Sequence, residues 1–182
     1  EICRKRFFHC WLALCDLSKE GLWPNHWDIA LQAWSEEGII NRSWHYAAPL
    51  VNSMPDFNLQ QHAHAVAHWL EAASDSIKIH IDIFFDISNK VLLLPLETST
   101  GILHNGIPID EPITEAINHP IGKVTNALLN YWFNQEPDDN DKIPMHLKPI
   151  FTTLCNIEID RYRHARVLLA SRLIALFRVD SD

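Results

Sequence analysis

The sequence predicts an all-α protein, built as an irregular α-solenoid of paired helices in the HEAT-like manner. Three observations carry that prediction. Apolar residues recur three and four apart over most of the chain, the spacing of one helical face. Glycine is scarce, at 5 of 182 residues, well under the average of about 7 %. That scarcity argues against turn-rich β sandwiches, glycine-rich phosphate loops and most Rossmann frameworks. The helical stretches are joined mostly by short turns, which makes consecutive helices antiparallel. Helix pairs recur at roughly 35 to 45 residues, the size range of HEAT-like units. No residue-level repeat is visible, and a closed helical bundle is the second architecture these lengths allow. Residues 1–182 read as one helical region.

The elements follow in order. Cys3, Phe7, Cys10, Leu14 and Leu17 form one stripe, ended by a turn over residues 21–24. Asn25 suits an N-cap for the next helix, where Trp23, Trp27, Ala30, Leu31 and Trp34 share a face and Gly38 closes it. Trp44, Ala47, Ala48, Val51 and Met54 define a third stripe, capped by Asn41 and broken at Pro55. Leu59, Ala63, Val66, Leu70 and Ala73 mark an amphipathic helix over about residues 57–75. Residues 77–83 alternate as a strand would, but the continuation through Phe84, Phe85, Val91 and Leu92 fits a helix, and its length favours helix.

Regular signal then fades over residues 95–118. Within that stretch Asn105-Gly106 between apolar neighbours fits a short hairpin, confined to an edge by Pro108. Helix returns at His119-Pro120, with Ile121, Val124, Leu128 and Trp132 on its inner face. An acidic loop over residues 136–142 precedes a stripe of Leu147, Ile150, Phe151, Leu154 and Ile157. A last helix over about residues 160–177 is apolar around nearly its whole circumference, so it needs cover on more than one side.

Composition limits the function classes. The formal net charge is -8, which disfavours nucleic-acid binding. Arg161, Arg163, Arg166, Arg172 and Arg178 spread around the last helix instead of forming one basic stripe. Arg4, Lys5 and Arg6 before the apolar residues 7–15 imitate a signal peptide, but His9 interrupts the run and no small-residue cleavage site follows. No apolar run reaches the ~18 residues that span a bilayer, so no membrane association is expected. The 4 Cys include no CxxC pair; reduced, buried thiols in a cytoplasmic protein are expected, with Cys155 protonated and inert among apolar residues. Both ends of the chain read as cuts through a longer polypeptide. That expectation leaves room for a catalytic module outside the 182 residues.

Chemistry-bearing patterns are sparse, and neither a catalytic residue nor a cofactor is expected. His64, His68 and Glu71, with Asp75 beyond, share one helical stripe, and two imidazoles a turn apart can chelate a divalent metal. The glutamate of an HExxH motif is missing, and a polar outer face explains the same residues. His80 and Asp82 are not an adjacent His-Asp pair. Thr98-Ser99-Thr100-Gly101 lacks the glycines and lysine of a phosphate-binding loop. The 7 Trp fall on or near apolar stripes, as core wedges between helices do.

Two surfaces stand out for protein contact. One is the tip His104-Asn105-Gly106, with Leu103 expected to pack back on the helices. The other is the flank of the last helix carrying Leu168, Ile174 and Phe177, expected to meet a protein partner or a second copy.

Residues 119–133, from His119-Pro120-Ile121-Gly122-Lys123 to Tyr131-Trp132-Phe133, with Arg163-His164-Ala165-Arg166 and the helix after it, form a further pattern. The last 65 or so residues resemble the helical C-terminal region of large bacterial anti-phage defence proteins, several of which carry a sirtuin-like NAD-cleaving module upstream. The resemblance implies a scaffold or sensing segment and assigns NAD hydrolysis to residues absent from this chain. The sequence therefore points to a non-enzymatic helical scaffold that mediates protein–protein contacts. Its rival is a small all-α metal-dependent enzyme using the His64/His68 face.

Overall fold

The computed structural model describes residues 1–97, 103–108 and 111–180, with backbone alone for 103, 104 and 108. Apart from one short hairpin, the regular structure among the described residues is helical: twelve α-helices and a single 3-10 turn. The chain groups into two compact units, Glu1–Leu94 and Pro95–Asp182.

In the first unit, α1 (Ile2–Lys5) and α2 (Phe7–Lys19) replace the one N-terminal helix the spacing predicts. The break falls at Arg6, whose φ of -126° and ψ of 46° leave the helical region. Phe7 and Leu14 are buried, while Cys3, Cys10 and Cys15 are half-exposed and not the buried thiols expected. α3 (His26–Trp34) buries Trp27, Ala30, Leu31 and Trp34. α4 (Ile40–Asn52) buries Trp44, Ala47, Ala48 and Val51, as its stripe predicts.

The next predicted helix divides into α5 (Asp56–Gln61) and α6 (Ala63–Ser74). His62 sits at the division, and it is turned inward. Its Nδ1 lies 2.8 Å from Asp28 Oδ1 and its Nε2 3.1 Å from the Trp23 carbonyl oxygen. A buried imidazole needs such partners, and placing both on α3 and the turn before it bends the helix that carries His62. Residues 77–80 are irregular and His80 adopts a left-handed conformation (φ 54°), after which α7 (Ile81–Leu93) begins. The helical reading of residues 81–93 thus prevails over the alternation, because Phe84, Ile87 and Val91 bury at helical spacing.

Packing in this unit runs mostly between helices one or two elements removed along the chain, most extensively between α3 and α6. α1 lies on α3, α2 on α4, α3 on α6, and α4 on both α6 and α7. Buried indoles are tied to this frame. Trp34 Nε1 donates to the Cys3 carbonyl (3.1 Å), Trp44 Nε1 to the Ile79 carbonyl (2.9 Å) and Trp69 Nε1 to Ser43 Oγ (2.9 Å).

In the second unit, β1 (Leu103–His104) pairs antiparallel with β2 (Ile107–Pro108) around Asn105 and Gly106, both at positive φ. That is the turn chemistry the Asn-Gly pair predicts. Helix returns earlier than expected, at α8 (Pro112–Asn118), so the long connection is partly helical. Pro112 occupies its first turn and Ala116 is buried. α9 (Pro120–Phe133) starts with His119 as N-cap, whose Nδ1 accepts from Ile121 N–H at 3.1 Å. α10 (Lys148–Cys155) buries Phe151 and Leu154.

The predicted last helix is in fact three pieces: a 3-10 turn over Asp160–Tyr162, α11 (Arg163–Ser171) and α12 (Leu173–Val179). The break at Arg172 turns α11 inward, against α8, α9 and α10. Leu168, expected on an open flank, is consequently buried with Ala165 and Leu169.

Gly122 explains how α8 and α9 approach each other. A Cβ there would lie 1.7 Å from the Ala116 carbonyl oxygen and 3.3 Å from Leu168 Cδ1. Gly→Ala within a helix gains about 1 kcal/mol in propensity, whereas forcing a methyl into packed backbone costs about 1–3 kcal/mol or more. Steric overlap at 1.7 Å with backbone decides the sign. Gly122→Ala should therefore destabilise the chain by about 2 kcal/mol, read as a lower urea midpoint. An unchanged or raised midpoint would contradict this packing.

Candidate functional site

The site is built where the second unit leaves apolar surface open. α12 is held mainly at its C-terminal end. Val179 is buried, Lys142 N–H donates to the Val179 carbonyl (3.1 Å), and Asn140 N–H donates to the Arg178 carbonyl (3.1 Å). The Asp180 carboxylate, only 2 % exposed, accepts from Lys142 Nζ (3.2 Å), Lys148 Nζ (3.3 Å) and the Ile143 N–H (3.2 Å). Charged donors compensate a buried carboxylate, so this cluster fixes the helix end. Arg178 adds an ion pair to Asp139 at 3.2 Å.

The remainder of α12 is open. Leu173 is 63 %, Ile174 89 % and Phe177 64 % exposed. Beside them α10, α11 and α12 enclose a groove of about 540 Å³. Phe151, Leu169, Leu173 and Leu176 line it, with Arg166 and Cys155 among its lining residues. Cys155 ends α10 and is exposed, contrary to the buried thiol its apolar neighbours predict.

Of the residues singled out in the sequence, Ile174 and Phe177 do lie together on an exposed face, and Leu168 does not join them. Asn105 and Gly106 lie exposed at the hairpin turn. The side chains of Leu103 and His104 fall outside the described residues, as do Thr98 to Gly101. His64 and His68 are exposed on α6 and Glu71 is half-buried. No three His, Cys, Asp or Glu side chains among the described residues are grouped so as to hold a metal ion. No helix among those residues is long and apolar enough to cross a membrane.

One polar arrangement escaped the sequence reading. His119 and His164 stack face to face, with ring centroids 3.8 Å apart and planes 2° from parallel. His119 Nε2 lies 2.9 Å from the Glu97 carbonyl oxygen while its Nδ1 serves the α9 cap, which defines its neutral tautomer. His164 is buried, and its Nδ1 has no hydrogen-bond partner among the described residues. Burial, reinforced by His119 and Arg163, pushes the His164 imidazole down to about 4. The residues stand 45 apart, and only the docking of α11 on α9 brings them together.

Compared with known proteins, the chain matches no family model, no curated protein and no solved structure.

The His164 shift has a pH consequence. Its folded value, about 4, lies below the ordinary 6.5, so the unfolded chain binds more protons between those limits and stability rises with pH there. The stabilisation is complete above about pH 6.5 and is lost as pH falls towards 4. His164→Phe, which keeps an aromatic ring against His119, should flatten the fall in urea midpoint across that window. An equally steep fall in the variant would assign the acid sensitivity elsewhere.

Proposed function

We propose that this chain is a non-enzymatic helical scaffold that acts through protein–protein contact. The observation that carries this reading is the exposed apolar face of α12, where Ile174 and Phe177 are a turn apart with Leu173 beside them. Large apolar side chains clustered on one short helix mark contact surfaces more often than inert exterior. An irregular HEAT-like stack is the architecture proposed for the helices, on their lengths and short connections; the first unit's most extensive pairing, α3 on α6, skips two elements and does not itself mark a regular repeat. The hairpin tip at His104, Asn105 and Gly106 is a second contact point in this proposal. A sensing or scaffold role inside a larger NAD-hydrolysing defence protein of bacteria, working in the cytoplasm, rests on the resemblance of residues 119–133 and 163–166 alone.

The partner of the α12 face is a protein surface, met either as a second copy of this chain or as a neighbouring chain. Sedimentation velocity over a range of concentrations tests the first case. The wild-type chain should self-associate as concentration rises, and Ile174→Glu with Phe177→Glu should sediment as a monomer with an unchanged far-UV spectrum. Both side chains are mostly in water already, so the substitutions remove a contact and not a core. A wild-type chain that stays monomeric at every concentration would leave only the neighbouring-chain case. If the double variant associated as strongly as wild type, the face would be excluded as the contact.

A further inference from the structure

We propose that the groove between α10, α11 and α12 binds a single-chain fatty carboxylate, its tail along the apolar floor and its head group at Arg166. The groove is about 540 Å³, within the ~300–1,000 Å³ typical of small-molecule sites. Its floor is made by Phe151, Leu169, Leu173 and Leu176, which offer a tail contact but no polar selectivity. Selectivity falls to the few polar groups around it, and most are already engaged. Thr152 Oγ1 donates to the Lys148 carbonyl (2.8 Å). Lys148 shares the Asp180 carboxylate with Lys142.

Arg166 differs. Its Nη1 donates to two backbone carbonyls, of Asn156 at 2.7 Å and of Ile159 at 3.0 Å. Carbonyls fix the direction of a guanidinium without neutralising it, and no carboxylate among the described residues forms an ion pair with Arg166. The groove therefore presents an oriented cation beside an apolar slot. Asp180, which also lines the groove, is held by Lys142 and Lys148, so its carboxylate is already compensated and leaves the Arg166 charge to the ligand. An anionic head on an apolar tail complements both features, and a guanidinium takes a carboxylate in two parallel hydrogen bonds. A cationic amphiphile meets like charge, and a neutral one leaves Arg166 unused. The groove adjoins the protein-contact face at Leu173, which belongs to both, while Ile174 and Phe177 lie one residue further round α12 and outside the groove lining.

The test is calorimetric titration of the 182-residue chain with octanoate, decanoate and dodecanoate below their micelle concentrations, and with dodecyltrimethylammonium as the same tail under a cationic head. Dodecanoate should bind at one site. Affinity should rise about fourfold per added methylene along the series. The ammonium should bind about tenfold more weakly, or worse. Ala170→Trp, at an exposed position lining the groove, should fill the slot and abolish dodecanoate binding without lowering the melting temperature. Arg166→Gln removes the charge and shortens the side chain while staying polar. It should weaken dodecanoate about tenfold and strengthen the ammonium, whose like-charge repulsion it removes. The proposal is overturned if dodecanoate shows no saturable binding, as it would were the groove reserved for a protein segment. It is equally overturned if both head groups bind alike, or if Ala170→Trp binds dodecanoate as wild type does. Should Arg166→Gln fold poorly, the head-group comparison and Ala170→Trp still decide.

Discussion

In the first unit three buried indoles, Trp34, Trp44 and Trp69, each draw an acceptor from another segment and so lock helices together from the inside, whereas the equally buried Trp27 Nε1 has no acceptor among the described residues. An unpaired buried N–H costs about 1–3 kcal/mol, so Trp34, Trp44 and Trp69 each specify a partner atom as well as a hole to fill. The Trp34 N–H reaches back to the Cys3 carbonyl at the end of a broken N-terminal helix. Trp44 takes the Ile79 carbonyl from the irregular residues before α7. Trp69 takes Ser43, whose hydroxyl also lies 3.2 Å from the Trp34 carbonyl oxygen. These bonds bridge segments some thirty residues apart, and the rings of Trp44 and Trp69 add a contact at 4.8 Å between centroids. Hydrophobic burial alone is non-directional; the N–H groups give it direction and register.

The second unit relies on a different device, close approach of backbone. Gly122 lets the Ala116 carbonyl sit against α9, and that contact draws α8 and α11 onto the same helix. The stacked pair His119 and His164 belongs to the same packing. An imidazole buried without a partner for one nitrogen is tolerable only while it is neutral, which is why the geometry and the low proton affinity of His164 agree.

The sequence was most legible where a single helix face carries the signal. The inner faces of α3, α4, α6, α7 and α9 follow from spacing alone, and so does the Asn105-Gly106 turn. The breaks at Arg6, His62 and Arg172 were not legible, because none carries glycine or proline. At His62 the helix bends to satisfy a side chain whose partners lie more than thirty residues away. Treating residues 160–177 as one rod placed Leu168 with Ile174 and Phe177; the turn at Arg172 separates them. α8 had a signal in Pro112 and in Ala116 one turn on, masked by the irregular stretch before it. The groove and the histidine stack depend on tertiary docking, so spacing along the chain carries no trace of them.

The buried Asp180 cluster gives α12 an unusual mechanical character. The helix is moored at one end by a carboxylate with three donors and two backbone hydrogen bonds, and its opposite end meets the chain through Arg172. A short helix so held opens as a unit once its mooring is released, ahead of the packed helices beside it. Its amides would exchange with solvent together and faster than those of α9, whose inner face is buried throughout. The apolar contact face is thereby carried on a short helix fixed to the second unit mainly through the Asp180 cluster rather than through a buried apolar face of its own.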